Sequence, residues 1–292
     1  MSPPTVEQRR IRAGEVTLNV ALAGPESGQP VILLHGFPEF WFGWRGQVEA
    51  LAAAGFRVIA PDQRGYNLSD KPKGVRAYCL DRLAGDVLAL ASALGADRFS
   101  LVGHDWGASV AWWLATIAPD RIARLAILNA PHPAIWLREM TEDPEQRKKS
   151  AYVRMLRIPV LPELMVRSGN FKALAGAFAS ATRADAFDSG IVAAYRAAWT
   201  QPGALTATLN WYRALFLQPL PVPAACSLKP PTLVMWGDQD AFARSELAEM
   251  SAALCAKAQV RHFPGASHWL AHDEPEAVTA ALLDFLKDVR TG

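Results

Sequence analysis

The chain has 292 residues, 51% of them hydrophobic, which is enough to bury one large core together with an inserted subdomain. Its 30 basic and 28 acidic residues are interspersed, so the net charge of +2 argues against nucleic acid or a membrane surface as partner and favours a small neutral substrate. Cysteines 79, 226 and 255 lack the spacing of a metal or redox site, so we interpret them as structural and expect neither a metal nor a cofactor.

The N-terminal stretch is polar and charged, without the apolar centre of a signal peptide. Nowhere do about 18 apolar residues run together, which is the length of a membrane-spanning helix. We therefore expect a cytoplasmic protein, either a monomer or a homodimer.

Short strands alternate with helical patterns along the first half of the chain. Alternating polarity from Glu15 to Ala23 predicts the first strand, and the unbroken apolar run from Val31 to Leu34 predicts a strand buried on both faces. The next predicted elements are a helix to Ala54, a strand from Arg57 to Ala60, a helix from Leu80 to Gly95, a strand from Phe99, a helix from Ser109 to Ala118 and a strand from Leu125 to Leu128. This alternation indicates an α/β protein with a mostly parallel, doubly wound sheet.

The pattern changes between about His132 and Ala225, where no strand-like run appears. Asp143 as N-cap and Pro144 at the first helical position predict a helix that carries Tyr152. Further helical patterns begin near residues 174, 191 and 205. We therefore predict an all-helical cap domain at 132–225, inserted into a core domain formed by 1–131 and 226–292.

The strand and helix alternation resumes after this segment. The predicted elements are a strand from Thr232 to Trp236, a helix from Ser245 to Leu254, a strand from Val260 to Phe263 and a helix from Glu276 to Val289. The sheet of the core domain therefore continues on the far side of the insertion.

The pentapeptide GHDWG at 103–107 lies between a predicted buried strand and a helix. It has the form of the G-x-S-x-G nucleophile elbow, in which a tight turn raises the central residue above the edge of the sheet, with Asp105 at the central position. A carboxylate can attack an electrophilic sp3 carbon without losing a proton and so form an alkyl ester. The alternative is that Asp105 merely caps the following helix.

Two later loops offer an acid and a base. WGDQD at 236–240 and GASHW at 265–269 each follow a predicted strand, and the order nucleophile, acid, histidine is that of α/β-hydrolases. Asp240 would orient His268, which would act as the base, and Asp238 is the rival candidate for the acid.

Together with HGFPE at 35–39, these motifs make the sequence resemble the soluble epoxide hydrolases of the α/β-hydrolase fold over nearly its whole length. The resemblance implies that Asp105 attacks a mostly apolar epoxide and that water activated by His268 then hydrolyses the ester to a vicinal diol. It also implies that the predicted cap closes over this site.

The resemblance assigns further roles around the nucleophile. Two cap tyrosines would donate hydrogen bonds to the epoxide oxygen: Tyr212, within the stretch NWYR at 210–213, and Tyr152, seven residues before a proline. An alkoxide is a poor leaving group, so donors that act as its charge develops are physically reasonable. The backbone N–H groups of Phe37 and Trp106 match the oxyanion hole of the family.

The resemblance implies two further features of the HGFPE loop. Pro38 should follow a cis peptide bond in a tight turn. Glu39 either helps to hold the attacking water or is a solvated loop carboxylate.

Other activities use related sites. A haloalkane dehalogenase has the same Asp nucleophile, and its halide donor would be the indole of Trp106, but it has no use for paired cap tyrosines. A haloacetate dehalogenase needs arginines after the nucleophile, where this chain has Trp106 and Ser109, and a serine esterase needs Ser at position 105. A ligand-binding homologue without turnover is the third alternative, although it would not need a nucleophile, acid and base together.

Overall fold

The computed structural model describes residues 5–183 and 185–287. Its middle layer is a sheet of eight strands: β1 (Glu7–Ala13), β2 (Val16–Ala23), β3 (Pro30–Leu34), β4 (Arg57–Pro61), β5 (Phe99–His104), β6 (Ile122–Leu128), β7 (Thr232–Gly237) and β8 (Ala258–Phe263). They lie in the order β1-β2-β4-β3-β5-β6-β7-β8. Strand β2 runs antiparallel to both of its neighbours, β1 and β4, and every other pair of neighbouring strands is parallel. The predicted mostly parallel sheet is confirmed.

Helices cover both faces of this sheet, and further helices form the segment between β6 and β7. They are α1 (Arg45–Ala53), α2 (Leu80–Ala93), α3 (Trp106–Ile117), α4 (Pro133–Glu142), α5 (Pro144–Lys149), α6 (Tyr152–Leu156), α7 (Leu161–Ser168), α8 (Lys172–Ala177), α9 (Ser189–Trp199), α10 (Ala204–Ala214), α11 (Leu247–Ala252), α12 (Leu270–Asp273) and α13 (Pro275–Lys287). Alternate residues of β3 point to opposite faces of the sheet. Ile32 and Leu34 lie in the hydrophobic core that includes α2 and α3. Val31 and Leu33 lie in the core that includes α1 and α13. This two-sided burial explains the continuous apolar runs of the central strands. No helix among the described residues is long and apolar enough to cross a membrane.

The segment between β6 and β7 carries helices α4 to α10 and, within its described residues, no β-strand. The segment is therefore helical where the sequence predicts a helical insertion. Its division from the core as a cap domain, with boundaries at 132 and 225, stays a prediction. Asp143 does cap α5, since its Oδ1 accepts a hydrogen bond of 2.6 Å from the N–H of Gln146. However, α5 ends at Lys149 and Tyr152 opens the separate helix α6, so the prediction of one continuous helix was wrong.

The sheet also begins earlier than predicted. Strand β1 pairs with β2 along its whole length, but it is an edge strand whose sequence EQRRIRA is mostly exposed and shows no apolar alternation. Helices α4, α7 and α12 were not predicted either. Residues 288 and 289, the predicted end of the last helix, lie outside the described residues.

Candidate active site

Asp105 stands at the turn between β5 and α3, with φ 50° and ψ −121°. L-residues rarely adopt this backbone conformation, and holding one there costs on the order of 1–3 kcal/mol. The flanking glycines make the turn possible. A Cβ on Gly103 would lie 2.6 Å from the Cα of Ala108, and one on Gly107 would lie 2.2 Å from the carbonyl oxygen of Leu34. The GHDWG motif therefore encodes a tight strand-to-helix turn that presents the Asp105 side chain at the sheet edge.

The carboxylate of Asp105 contacts two of the other predicted site residues. The backbone N–H of Phe37 donates to Oδ1 at 2.7 Å, and Nε2 of His268 lies 3.5 Å from Oδ2. Trp106 is the first residue of α3, so its N–H belongs to the helical turn whose donors have no partner within the helix. The peptide bond between Phe37 and Pro38 is cis, as predicted.

Asp240, rather than Asp238, lies beside the histidine. Its Oδ2 is 2.8 Å from Nδ1 of His268 and also accepts a hydrogen bond from the Asn129 side chain. Its Oδ1 accepts a hydrogen bond from the N–H of Phe242. Asp238 instead contacts Nδ1 of His262 at 2.6 Å, in an exposed position. The structure thus brings Asp105, His268 and Asp240 together and leaves Asp238 outside.

The two carboxylates determine the charge of the imidazole between them. Burial by itself would lower the pKa of His268, but the charge of Asp240 and the hydrogen bond and charge of Asp105 raise it to about 10. Burial would raise the pKa of Asp240, and the nearby His268 cation outweighs that effect and lowers it. At neutral pH the unmodified site therefore holds an imidazolium between two carboxylates.

Tyr152 and Tyr212 both line a cavity of about 190 Å³ that is also lined by Asp105 and His268. The two tyrosine rings lie 6.1 Å apart, and burial raises the pKa of each hydroxyl above its ordinary value, so both are neutral donors at physiological pH. The ring of Tyr212 also packs edge-on against the indole of Trp106, with the ring centroids 4.9 Å apart. The rest of the lining is apolar or aromatic: Phe37, Pro38, Met155, Leu156, Val166, Ala173, Leu174, Ala177, Phe242 and Trp269.

Glu39 is only 4% exposed, so its interpretation as a solvated carboxylate was wrong. Nε2 of His272 and the hydroxyl of Tyr195 both lie 2.7 Å from its Oε1, and Nδ1 of His104 lies 3.2 Å from its Oε2. Burial would raise the pKa of Glu39, but the charge of His272 and the hydrogen bonds from His104 and His272 hold it well below the ordinary value. Its role in holding water stays a prediction.

Sequence reasoning missed four polar residues of this region: Asn129, His104, His272 and Tyr195. Asn129 had a usable signal, because it directly follows the buried strand β6 at the carboxyl edge of the sheet, where ligand-binding residues collect. Within residues 5–183 and 185–287, no group of three or more His, Cys, Asp or Glu side chains is arranged to hold a metal ion.

Comparison with known proteins identifies the family. A family model for the α/β-hydrolase fold matches residues 29–275. The AB hydrolase superfamily protein YfhM of Bacillus subtilis (strain 168) is 40% identical, with 95% of this chain and 97% of that protein covered. Epoxide hydrolase A of Mycobacterium tuberculosis is 32% identical, with 98% of both chains covered.

A crystal structure of Bacillus megaterium epoxide hydrolase in complex with an inhibitor superposes with a TM-score of 0.86 at 29% identity, covering 96% of this chain and 100% of that one. A solved structure of a novel epoxide hydrolase from metagenomes of hot environments superposes with a TM-score of 0.84 at 35% identity, covering 97% of this chain and 99% of that one. The chain therefore belongs to the α/β-hydrolase family and is a hydrolase of the epoxide hydrolase type.

Proposed function

We propose that the protein converts an epoxide and water to a vicinal diol through a covalent ester on Asp105. The observation that carries this proposal is that one largely apolar cavity is lined by the candidate nucleophile, the candidate base and two neutral phenols. Such a cavity suits a small, neutral, mostly apolar substrate whose reaction develops negative charge on one oxygen.

In the first half-reaction, a carboxylate oxygen of Asp105 attacks an epoxide carbon, and the bond between that carbon and the ring oxygen breaks. The electron pair of this bond remains on the oxygen, which becomes an alkoxide. The hydroxyls of Tyr152 and Tyr212 stabilise the alkoxide by hydrogen bonds and supply its proton. Their raised pKa values support this role, because a phenol that stays protonated is available as a donor.

The second half-reaction begins with a change in charge. Ester formation removes the negative charge of Asp105, which lies 3.5 Å from Nε2 of His268 and is one cause of that residue's raised pKa. The pKa of His268 should therefore fall once the ester has formed, so that the imidazolium can give up its proton, which returns to the phenolate left by the first half-reaction, and the neutral imidazole can act as a base. Alkylation of Asp105 itself thus prepares His268 for its role.

His268 then takes a proton from a water that attacks the ester carbonyl carbon. The backbone N–H groups of Phe37 and Trp106 receive the oxyanion, and Asp240 stabilises the new imidazolium. The tetrahedral intermediate collapses with cleavage of the bond to the diol oxygen, and this oxygen takes the proton of the hydroxyl that water added, which restores the Asp105 carboxylate and leaves His268 as the imidazolium. In this second half-reaction Glu39, whose carboxylate is held by buried hydrogen bonds, holds the attacking water in place.

The cavity supports epoxide over haloalkane as substrate. In the dehalogenase alternative the indole of Trp106 would serve the halide, whereas here two phenols line the cavity with Asp105, and one of them, Tyr212, packs edge-on against that indole. A halide leaves as a stable anion and needs no proton, so two phenols facing the nucleophile would have no task. A binding protein without turnover would have no need of the imidazolium held between Asp105 and Asp240.

Single turnover in ¹⁸O-water tests the covalent route. The first diol released should contain no label and the label should enter Asp105, because water attacks the ester carbonyl; label entering the diol directly would refute the ester. In His268→Gln the first half-reaction should persist, so mass spectrometry should detect a substrate-sized adduct on Asp105. Styrene oxide, cyclohexene oxide, 1-chlorobutane and p-nitrophenyl acetate assayed side by side would separate the epoxide, halide and esterase alternatives.

A further inference from the structure

Helix α9 of the helical segment holds the HGFPE loop by two buried hydrogen bonds. The hydroxyl of Tyr195 donates to Oε1 of Glu39 at 2.7 Å, and the indole N–H of Trp199 donates to the carbonyl oxygen of Pro38 at 2.5 Å. Both aromatic side chains are buried, and Tyr195 is completely so. The loop they hold carries Phe37, whose N–H donates to Asp105.

Glu39 connects this contact to the base as well. Its Oε2 lies 3.2 Å from Nδ1 of His104, and Nε2 of the same ring lies 2.9 Å from the main-chain oxygen of His268. One buried carboxylate therefore joins α9 to both groups that the second half-reaction needs, the oxyanion donor on the preceding loop and the base. The first half-reaction relies instead on Tyr152 and Tyr212, which lie on α6 and α10.

We infer that Tyr195 is a positioning residue for hydrolysis of the covalent ester, acting through Glu39. The inference rests on the proposed function, because it presupposes an ester on Asp105. Tyr195 does not line the cavity with the nucleophile, and its hydroxyl faces Glu39. Without this hydroxyl a buried, ionised carboxylate loses one of its donors, and the loop and His104 can shift by a fraction of an ångström to compensate. Small displacements of catalytic groups reduce rates strongly.

The alternative is that Tyr195 only fastens the helical segment to the sheet domain. That role predicts a lower melting temperature and either no change in the two chemical steps or an equal loss in both. The positioning role predicts that one step changes and the other does not. The ratio of the two single-turnover rates therefore separates the two explanations.

The test is Tyr195→Phe, which removes one hydroxyl and little volume. We expect the rate of ester hydrolysis to fall by about tenfold to a hundredfold, the range that loss of a hydrogen bond to a charged group produces. Alkylation by styrene oxide should stay within about twofold of the wild type, so the ester should accumulate and be visible by mass spectrometry. Tyr78→Phe is the matched control, because the buried Tyr78 donates to the Pro72 carbonyl and has no contact with Glu39.

Trp199→Phe breaks the other hydrogen bond from α9 to the HGFPE loop and should slow the same step. If Tyr195→Phe does not fold, this variant tests whether α9 positions the loop for ester hydrolysis. Ester hydrolysis at the wild-type rate in the folded variant, or an equal loss in both steps, would overturn the inference. A wild-type enzyme that forms no ester at all would instead refute the proposed function, so the two failures are distinguishable.

Discussion

Replacing Asp105 by a neutral group should lower the pKa of His268 from about 10 by at most about 3.5 units. Oδ2 of Asp105 lies 3.5 Å from Nε2 of His268. At an effective dielectric constant of about 20, unit charges at this separation interact by roughly 4.7 kcal/mol, and each pKa unit corresponds to about 1.36 kcal/mol. This is an upper limit, because the charge of Asp240 raises this pKa more than the charge of Asp105 does, and it stays in place. Asp105→Asn has the size of the native residue and lacks its charge, as the proposed ester does.

NMR titration of the imidazole nitrogens in the wild type and in Asp105→Asn measures this difference directly. The wild-type imidazole should remain protonated beyond pH 9, and that of the variant should titrate at a lower pH. Because only the neutral imidazole can take a proton from water, ester hydrolysis in single turnover should rise with pH through the pKa measured in the variant and level off above it. The charge-switching argument is wrong if His268 titrates at the same pH in both proteins, or if ester hydrolysis is independent of pH between 5 and 9.

Three further substitutions and one control test the assigned roles. Tyr152→Phe and Tyr212→Phe should each slow alkylation by an epoxide by about 2–3 kcal/mol, or roughly 30- to 150-fold, since each removes one donor to the developing alkoxide; full epoxide turnover in both variants would return the assignment to the dehalogenase. Asp240→Asn should reduce ester hydrolysis by as much as about 10⁴-fold by removing the carboxylate that orients His268, whereas the matched control Asp238→Asn should stay near the wild-type rate. Equal effects of the two in a single-turnover assay would mean that the acid is misassigned.

The elements around Asp105, Asp240 and His268 could be predicted because their signals are local. Each residue stands in a loop that follows a strand of the sheet. The strands before Asp105 and Asp240 are buried and largely apolar, whereas β8, before His268, is mostly exposed, so the GASHW motif was the main signal there. In a parallel sheet the carboxyl ends of the strands share one edge, so three such loops come together. Motif order and strand position together were therefore sufficient to indicate the candidate triad.

The surroundings of Glu39 could not be predicted because its contacts are distant in sequence. Tyr195 and His272 lie 156 and 233 positions away from it, and nothing in the residues next to HGFPE indicates that they meet. The break between α5 and α6 lies at Ser150. The hydroxyl of Ser150 receives a hydrogen bond from the indole of Trp136 on α4, a contact that the residues around the break do not indicate.

The strained turn at Asp105 separates what the fold contributes from what the reaction requires. Besides the two glycines of the elbow, Gly36 must lack a side chain, since a Cβ there would lie 2.4 Å from the Cβ of Asp105. These glycines fix where the central residue stands, next to the N–H of Phe37 and the ring of His268, and they would do the same for a serine in that position. The elbow thus places a candidate nucleophile without specifying its reaction. In the proposed mechanism the reaction is determined by the carboxylate at 105 and by the phenols contributed by α6 and α10, neither of which the fold itself supplies.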